Sequence, residues 1–122
     1  ESLNQPDVRV IKNPGGTNEL YVNQHLTKAQ VTTHQKNAEI PGLIAEGKGD
    51  VMITDTMEAK LYAKAHPGKL AVLFAEDTLT PKAQKAFFVQ ADDPEYLRVM
   101  QYLWDITELR GETAALYDKW LK

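Results

Sequence analysis

The sequence contains no cysteine, and Ser2 is its only serine. The absence of cysteine excludes a disulfide framework, a thiolate nucleophile and a cysteine-ligated metal. A single serine near the amino terminus leaves a serine-based catalytic triad without a sensible nucleophile. The three histidines, His25, His34 and His66, are scattered and form none of the close pairs typical of a metal-binding helix. We therefore expect no metal site.

The chain also lacks a basic face and a long apolar run. Its net charge is -3, which gives no basis for binding nucleic acid, and no stretch of apolar residues approaches the length of a membrane span. At 122 residues it is expected to form one domain, or one and a fraction. It opens on Glu1-Ser2-Leu3-Asn4-Gln5-Pro6, which is typical of a linker entering a strand, so we expect a mature or excised fragment.

Strand-like and helical patterns alternate through the first 77 residues. Glycine, proline and capping residues separate the segments. The predicted strands are residues 7–12, 29–34, 51–54 and 70–74, and the predicted helices are residues 17–26, 38–46 and 56–65, with Asn37 as the cap of the second helix. This order predicts an α/β fold, with a mainly parallel sheet and flanking helices.

The character of the sequence changes after residue 77. A polar segment over residues 76–84 precedes a predicted strand over residues 85–90, and Asp93 with Pro94 predicts the start of a helix. We assign residues 1–77 to an α/β ligand-binding lobe, 78–90 to a connecting segment and crossing strand, and 91–122 to C-terminal helices. These helices carry large apolar residues, namely Leu97, Met100, Leu103, Trp104, Ile106, Leu116, Trp120 and Leu121.

A glycine-rich turn follows the first predicted strand. It reads Asn13-Pro14-Gly15-Gly16-Thr17-Asn18-Glu19 and leads into a predicted helix. Because glycine has no Cβ, a ligand can approach the backbone closely, and the free N–H groups at the start of a helix bind anions. The N–H groups of Gly16, Thr17 and Asn18, with the Thr17 hydroxyl, are therefore candidates to bind a carboxylate or phosphate. The alternative is a structural turn in which Thr17 caps the helix.

A second motif places two acids at the start of another helix. It reads Gly49-Asp50-Val51-Met52-Ile53-Thr54-Asp55-Thr56-Met57-Glu58-Ala59. Asp55 and Glu58 lie on one helix face, at the carboxyl end of a predicted parallel strand, where α/β proteins bind ligands. Asp55 is a candidate to bind a ligand ammonium and Glu58 to act as a general acid. The alternative is a capping box, in which both acids only satisfy helix N–H groups.

The two motifs lie about forty residues apart, in the same order as in a known family. On these residues the chain resembles the second lobe of family 3 (polar amino-acid type) periplasmic solute-binding proteins, which have the type 2 periplasmic binding fold. The ending Leu116–Leu121 also fits that family's final helix. With Asn18 and Glu58 the chain is most similar to the cyclohexadienyl dehydratase branch. It departs from the pattern at Pro41-Gly42, inside the second predicted helix, and at Gly49.

The resemblance implies a function and a set of roles. Gly16 and Thr17 would bind a substrate carboxylate, Asn18 would orient the substrate, and Glu58 would protonate the departing hydroxyl of prephenate or arogenate. Asp55 would contribute to substrate binding. No metal or organic cofactor is implied, because aromatisation of the ring drives the loss of water and carbon dioxide.

The resemblance also implies an incomplete, periplasmic protein. The chain would be the C-terminal half of a two-lobed protein, in which the strand at residues 85–89 and the terminal helices belong with a missing first lobe. We expect the chain alone to be inactive, because one lobe supplies half of the substrate contacts. Without the other lobe, we expect its apolar helices to fold back or, preferably, to exchange with a second copy and form a homodimer.

Two other classes of function remain open. A polar amino-acid-binding protein of an ABC transporter, or a sensor domain of the same fold, would use Asp55 to bind the α-ammonium group of its ligand and would not need an acid at Glu58. A structural or interaction module would bind no small molecule at all. The partners expected for the first two classes are a small carboxylate or an amino acid.

Overall fold

The computed structural model describes residues 2–83 and 85–122. Gln84, the end of the polar segment over residues 76–84, and Glu1, the start of the predicted linker, lie outside the described residues. By its internal contacts the chain divides into two compact units, one reaching Ala75 and the other running from Glu76 to Lys122. Each unit is described by itself.

The first unit is built around a small parallel sheet. Strands β1 (Arg9–Lys12) and β2 (Gln30–Thr33) pair in parallel, with Val10 opposite Val31, and Val51 forms a parallel bridge to Val10 on the other side. The remaining elements are α1 (Gly16–His25), a 3-10 helix (Asn37–Glu39), α2 (Ile40–Ala45) and α3 (Thr56–Ala65). The predicted α/β fold with a parallel sheet is confirmed.

The core of this unit lies between β1 and α1. Val10, Val22 and Leu26 form its buried cluster, against which Val51 and Ile53 pack together with other half-buried residues. Val10 and Val22 retain 1% exposure or less. Because β1 supplies the central residue of this cluster, the turn that follows β1 is fixed to the most buried part of the unit.

Two predicted elements are shorter or differently built than expected. The segment at residues 51–54 contributes a single bridge at Val51 and not a full strand. The helix predicted over residues 38–46 is a 3-10 turn followed by α2, and Lys36 stands at the amino-terminal cap position where Asn37 was predicted. Pro41 lies in the first turn of α2, where its missing N–H costs nothing, and it is buried.

The strand predicted over residues 70–74 is absent from the described residues. Phe74 has a φ of 58°, which is the left-handed region and not the extended backbone that a strand requires. The apolar run predicts a strand, but a strand also needs a neighbouring strand with which to pair.

The second unit contains the two helices predicted for the tail, α4 (Pro94–Leu109) and α5 (Glu112–Leu121). Asp93 caps α4, because its Oδ1 accepts a hydrogen bond from the N–H of Tyr96 at 2.8 Å. The crossing strand predicted over residues 85–90 is not formed among the described residues. In the part of the chain that the structure describes, none of residues 85–90 lies in a strand; Phe87 packs edge-on against Trp104, and Phe88 is fully exposed. No described helix is long and apolar enough to cross a membrane.

Candidate functional site

The glycine turn starts α1 without help from a side-chain cap. Gly15 is the cap residue, with φ 82° and ψ 161°, and Gly16 has φ 76°. Residues with a Cβ rarely adopt such positive φ values, so the turn depends on glycine at these positions. Thr17 is already inside the helix and Gly15 takes the cap position, so the capping role considered for Thr17 is wrong. Gly16 and Thr17 are exposed, and Asn18 is half-buried.

Glu19 and Lys12 brace this turn from within. Glu19 Oε2 accepts the Gly15 N–H at 2.6 Å, and Glu19 Oε1 accepts from Lys12 Nζ at 2.7 Å. The same ammonium donates to Asn23 Oδ1 at 2.7 Å. The hydrogen bond from Lys12, followed by that from the Gly15 N–H, lowers the pKa of Glu19 from its ordinary value. The largely buried side chain of Lys12 thus joins the end of β1 to the turn and to α1.

The second motif has a different internal arrangement from a capping box. Asp55 occupies the cap position of α3, but its side chain makes no capping hydrogen bond. Glu58, in the first turn of α3, instead accepts a hydrogen bond at Oε2 from the hydroxyl of Thr54. Asp55, Glu58 and Thr54 are all half-buried. The carboxylate of Glu58 is therefore attached to the end of the preceding segment.

Tyr62 lies one helical turn beyond Glu58. Burial raises the pKa of Tyr62, and the negative charge of Glu58 raises it further. The phenol of Tyr62 therefore stays neutral at physiological pH.

The backbone places the starts of α1 and α3 after neighbouring parallel segments. Val51 bridges Val10 in parallel, and the Ile11 N–H donates to the Val51 carbonyl at 3.0 Å. The carboxyl ends of adjacent parallel strands meet at one edge of a sheet. That Thr17, Asn18, Asp55 and Glu58 converge around one concavity there stays a prediction.

The residues that support the two motifs are Lys12, Glu19 and Thr54. They lie within the motifs or next to them, but the motif pattern alone assigns them no role. The available signal was a charged pair separated by seven residues across a strand end, and a hydroxyl four residues before an acid. Within residues 2–83 and 85–122, no group of three or more histidine, aspartate or glutamate residues could hold a metal ion.

The sequence and structure resemble known proteins along the whole chain. The sequence is 35% identical over 122 residues to cyclohexadienyl dehydratase of Pseudomonas aeruginosa, of which it spans 44%. The structure matches an ancestral cyclohexadienyl dehydratase at a TM-score of 0.58, with 44% identity over 98% of this chain and 48% of that one. No family model matches the sequence.

Two ancestral binding proteins also match the structure. One is an ancestral cationic amino acid solute-binding protein, with a TM-score of 0.72 and 27% identity over 98% of this chain and 50% of that one. The other is an ancestral amino acid-binding protein described as a precursor of cyclohexadienyl dehydratase, with a TM-score of 0.71 and 29% identity over 100% of this chain and 50% of that one. The chain spans about half the length of these relatives. The resemblance found in the two motifs is therefore confirmed: the chain is a homologue of cyclohexadienyl dehydratase and of ancestral amino-acid-binding proteins, and its fold matches one lobe of the periplasmic solute-binding proteins.

Proposed function

We propose that the chain is the C-terminal portion of a periplasmic cyclohexadienyl dehydratase-like protein that acts on prephenate or arogenate. The observation that carries this proposal is the state of Glu58. A capping box would have explained both acids, but Asp55 makes no capping bond and Glu58 is bound to the Thr54 hydroxyl. Helix capping therefore does not explain the acid at Glu58. This residue lies in the first turn of α3, beside the sheet edge where a ligand is predicted to bind.

The sequence relationships support the enzyme over the binding protein. Identity is 44% to the ancestral dehydratase and 27% to 29% to the two ancestral binding proteins. The TM-scores rank them the other way, at 0.58 against 0.72 and 0.71. Over the whole alignment, the side chains of this chain are thus more similar to those of the ancestral dehydratase, which supports the enzyme.

In the proposed reaction, the N–H groups of Gly16 and Thr17 and the Thr17 hydroxyl bind one substrate carboxylate. Asn18 orients the ring, and Asp55 holds the amino group where the substrate is arogenate. Glu58 gives its proton to the departing ring hydroxyl. The C–O bond then breaks, water leaves, and the ring carboxylate departs as carbon dioxide. The electron pair of its broken C–C bond forms the last double bond of the aromatic ring, and solvent reprotonates Glu58. Neither metal nor organic cofactor is needed.

The alternative function is amino-acid binding for a transporter or sensor. It is supported by the two ancestral relatives, which are amino-acid-binding proteins. In that case Asp55 binds the ligand ammonium and Glu58 has no essential role. The two functions therefore predict opposite results for a change at Glu58.

We further propose that a first lobe completes the site. The terminal helices expose large apolar residues, among them Leu97, Leu103 and Trp120, each at about half of its full exposure. In a two-lobed protein these residues would be buried against the missing lobe. In the isolated chain, a second copy would cover them.

The test is prephenate and arogenate turnover by the longer two-lobed protein that carries this sequence, in wild-type form and as Glu58→Gln. We expect Gln, which cannot donate a carboxylic proton, to lower kcat on the order of 10²–10⁴-fold, the usual contribution of a general acid. The control is Glu95→Gln on α4. Unchanged turnover in E58Q would overturn Glu58 as the general acid, whereas no turnover with tight amino-acid binding in the wild type would favour the binding protein. The 122-residue chain alone should show no turnover, because an open half-site cannot orient substrate or exclude water.

A further inference from the structure

We propose that Thr54 is a positioning residue, which holds Glu58 by Oε2 so that Oε1 carries the transferred proton. This inference rests on the proposed function and adds to it the atom that delivers the proton and the residue that selects that atom. It concerns a side chain outside the set assigned to the substrate.

The geometry that supports it is local. Thr54 is the last residue before the cap position of α3, and Glu58 lies in the first turn of that helix. The Thr54 Oγ1 hydroxyl donates to Glu58 Oε2, and both side chains are half-buried. Thr54 follows the segment that Val51 attaches to β1, so the hydrogen bond ties Glu58 to the sheet and not only to its own helix.

The chemistry follows from what a carboxyl group can donate and accept. A protonated carboxyl has one O–H donor, and its other oxygen remains an acceptor. Because the Thr54 hydroxyl occupies Oε2 as its donor, the acid proton is carried on Oε1. When Oε1 passes its proton to the departing hydroxyl of the substrate, Glu58 becomes a carboxylate. The same Thr54 hydroxyl then makes a charge-assisted hydrogen bond, which is stronger than the neutral one. Thr54 thus stabilises the product state of the proton transfer.

The neighbouring ionisable groups are consistent with this division of roles. Tyr62, one turn along α3, has its pKa raised by burial and by the charge of Glu58, so it stays protonated and does not take up the acid's proton at working pH. Asp55 is the other acid at this helix start, and it is assigned to the substrate amino group. Glu58 is left as the proton donor, with Thr54 as its fixed partner.

The test compares three single variants in the same two-lobed protein. Thr54→Val removes the hydroxyl and keeps the branched shape, whereas Thr54→Ser keeps the hydroxyl. Thr33→Val is the matched control, because Thr33 is an exposed strand residue at the end of β2. We expect T54V to lower kcat by about tenfold, with KM changed less than twofold, because a mispositioned acid affects the transition state and not substrate binding. T54S should restore most of kcat, and T33V should match the wild type.

A purely structural role for Thr54 gives a different pattern. In that case T54V would lower the melting temperature and change KM together with kcat. KM and kcat would also change together in T54S. If the T54V variant folds poorly in the two-lobed protein, a second measurement on the isolated chain tests the inference. Three-bond NMR couplings of the Glu58 methylene protons should show one preferred rotamer in the wild type and T54S, and an averaged one in T54V. Equal couplings in all three would overturn the inference.

The outcomes distinguish this inference from the proposed function. Full activity in E58Q overturns both. An inactive E58Q with a fully active T54V leaves Glu58 as the acid and overturns the role of Thr54 alone.

Discussion

The Lys12 ammonium lies 2.7 Å from Glu19 Oε1, with the Lys12 side chain 11% exposed and that of Glu19 27% exposed. The pair between Lys48 and Glu46 has the same 2.7 Å separation, but its side chains are 62% and 59% exposed. Charge pairs of equal length thus occur in two environments of the same unit. Water screens the second pair strongly and the first one much less.

Lys12→Met should therefore destabilise the chain, whereas Lys48→Met should not. In K12M the Glu19 carboxylate keeps the Gly15 N–H but loses its cation in a half-buried position. We expect a melting temperature several degrees lower for K12M, and a value close to wild type for K48M. Thermal unfolding followed by circular dichroism measures both. Equal melting temperatures for the two variants would contradict the assigned difference in burial.

The second prediction concerns acid stability and the pair formed by Arg9 and Asp50. Arg9 donates from Nη2 to Asp50 Oδ1 at 2.6 Å, and from Nε and its backbone N–H to Oδ2. These hydrogen bonds, the side-chain ones first, lower the pKa of Asp50 from 3.8 to about 2. Because the folded-state pKa is the lower one, the stabilisation is complete above the unfolded pKa and is lost as the pH falls through the folded value.

Asp50→Asn should accordingly reduce the loss of stability between about pH 4 and pH 2. Urea unfolding midpoints at pH 6 and pH 2 should differ less in D50N than in the wild type. Arg9→Gln is the control for the pair, and adding it to D50N should have little further effect on the pH dependence. An acid response in D50N as large as that of the wild type would show that other carboxylates dominate.

The third prediction concerns the close packing of Gly49 against Ile11. A Cβ at Gly49 would lie 2.6 Å from Ile11 Cδ1 and 2.7 Å from its Cγ1, and Ile11 is buried in β1. Gly49→Ala should therefore destabilise the chain by about 1–3 kcal/mol through overpacking. Gly42→Ala is the matched control: a Cβ there meets nothing within 4 Å, and alanine favours the helix by about 0.5–1 kcal/mol. In an Ile11→Val background the cost of G49A should shrink, and a constant cost would contradict the proposed contact.

The fold was predicted from the sequence where local signals decide the structure. α1, α3, α4 and α5 have breakers or caps beside them, such as Gly15 and Asp93, and their positions agree with the prediction. The strands at residues 70–74 and 85–90 were predicted from apolar or β-branched composition alone. A strand also depends on pairing with residues far along the chain, which composition does not reveal.

The candidate site was predicted only at the level of its motifs. Their glycine and acidic residues have a recognisable pattern, whereas Thr54 and Lys12 acquire a role only when a strand end and a helix start are placed together. Side-chain geometry likewise decides that Glu58 accepts a hydrogen bond from Thr54 and that no capping box forms. Helix-start sequences permit both arrangements, so the sequence alone left them open.

The fourth prediction uses Tyr62 as a reporter of Glu58. Burial is the larger cause of the raised pKa of Tyr62, and the charge of Glu58 is the second. Glu58→Gln removes that charge and should lower the pKa of Tyr62 without returning it to the ordinary value. The ζ-carbon NMR signal of Tyr62, followed against pH in the isolated chain, measures the change. Glu95→Gln on α4 is the control, and an identical Tyr62 titration in E58Q would place the carboxylate farther away than the structure does.

The last prediction is that the isolated chain forms a homodimer through its terminal helices. Leu103 on α4 and Leu20 on α1 are both large apolar residues, with 51% and 58% exposure. Leu103 belongs to a row of exposed apolar residues on α4, with Tyr96 and Val99, and soluble monomers rarely leave such a row open to water. A second copy would cover this row, and the polar segment over residues 76–84 would allow the helices to exchange between copies.

Light scattering across a dilution series should show dimers that dissociate on dilution. Leu103→Lys should shift the chain to a monomer at every concentration, because the dimer would bury the new charge, whereas Leu20→Lys makes the same change outside the terminal helices and should keep the dimer. If the helices are exchanged, dimers carrying two different tags should form mixed dimers only slowly. The terminal helices of each chain must first leave the other chain of their dimer. A monomer at all concentrations in the wild type, or a dimer that L103K leaves intact, would show that burial of the α4 row does not drive association.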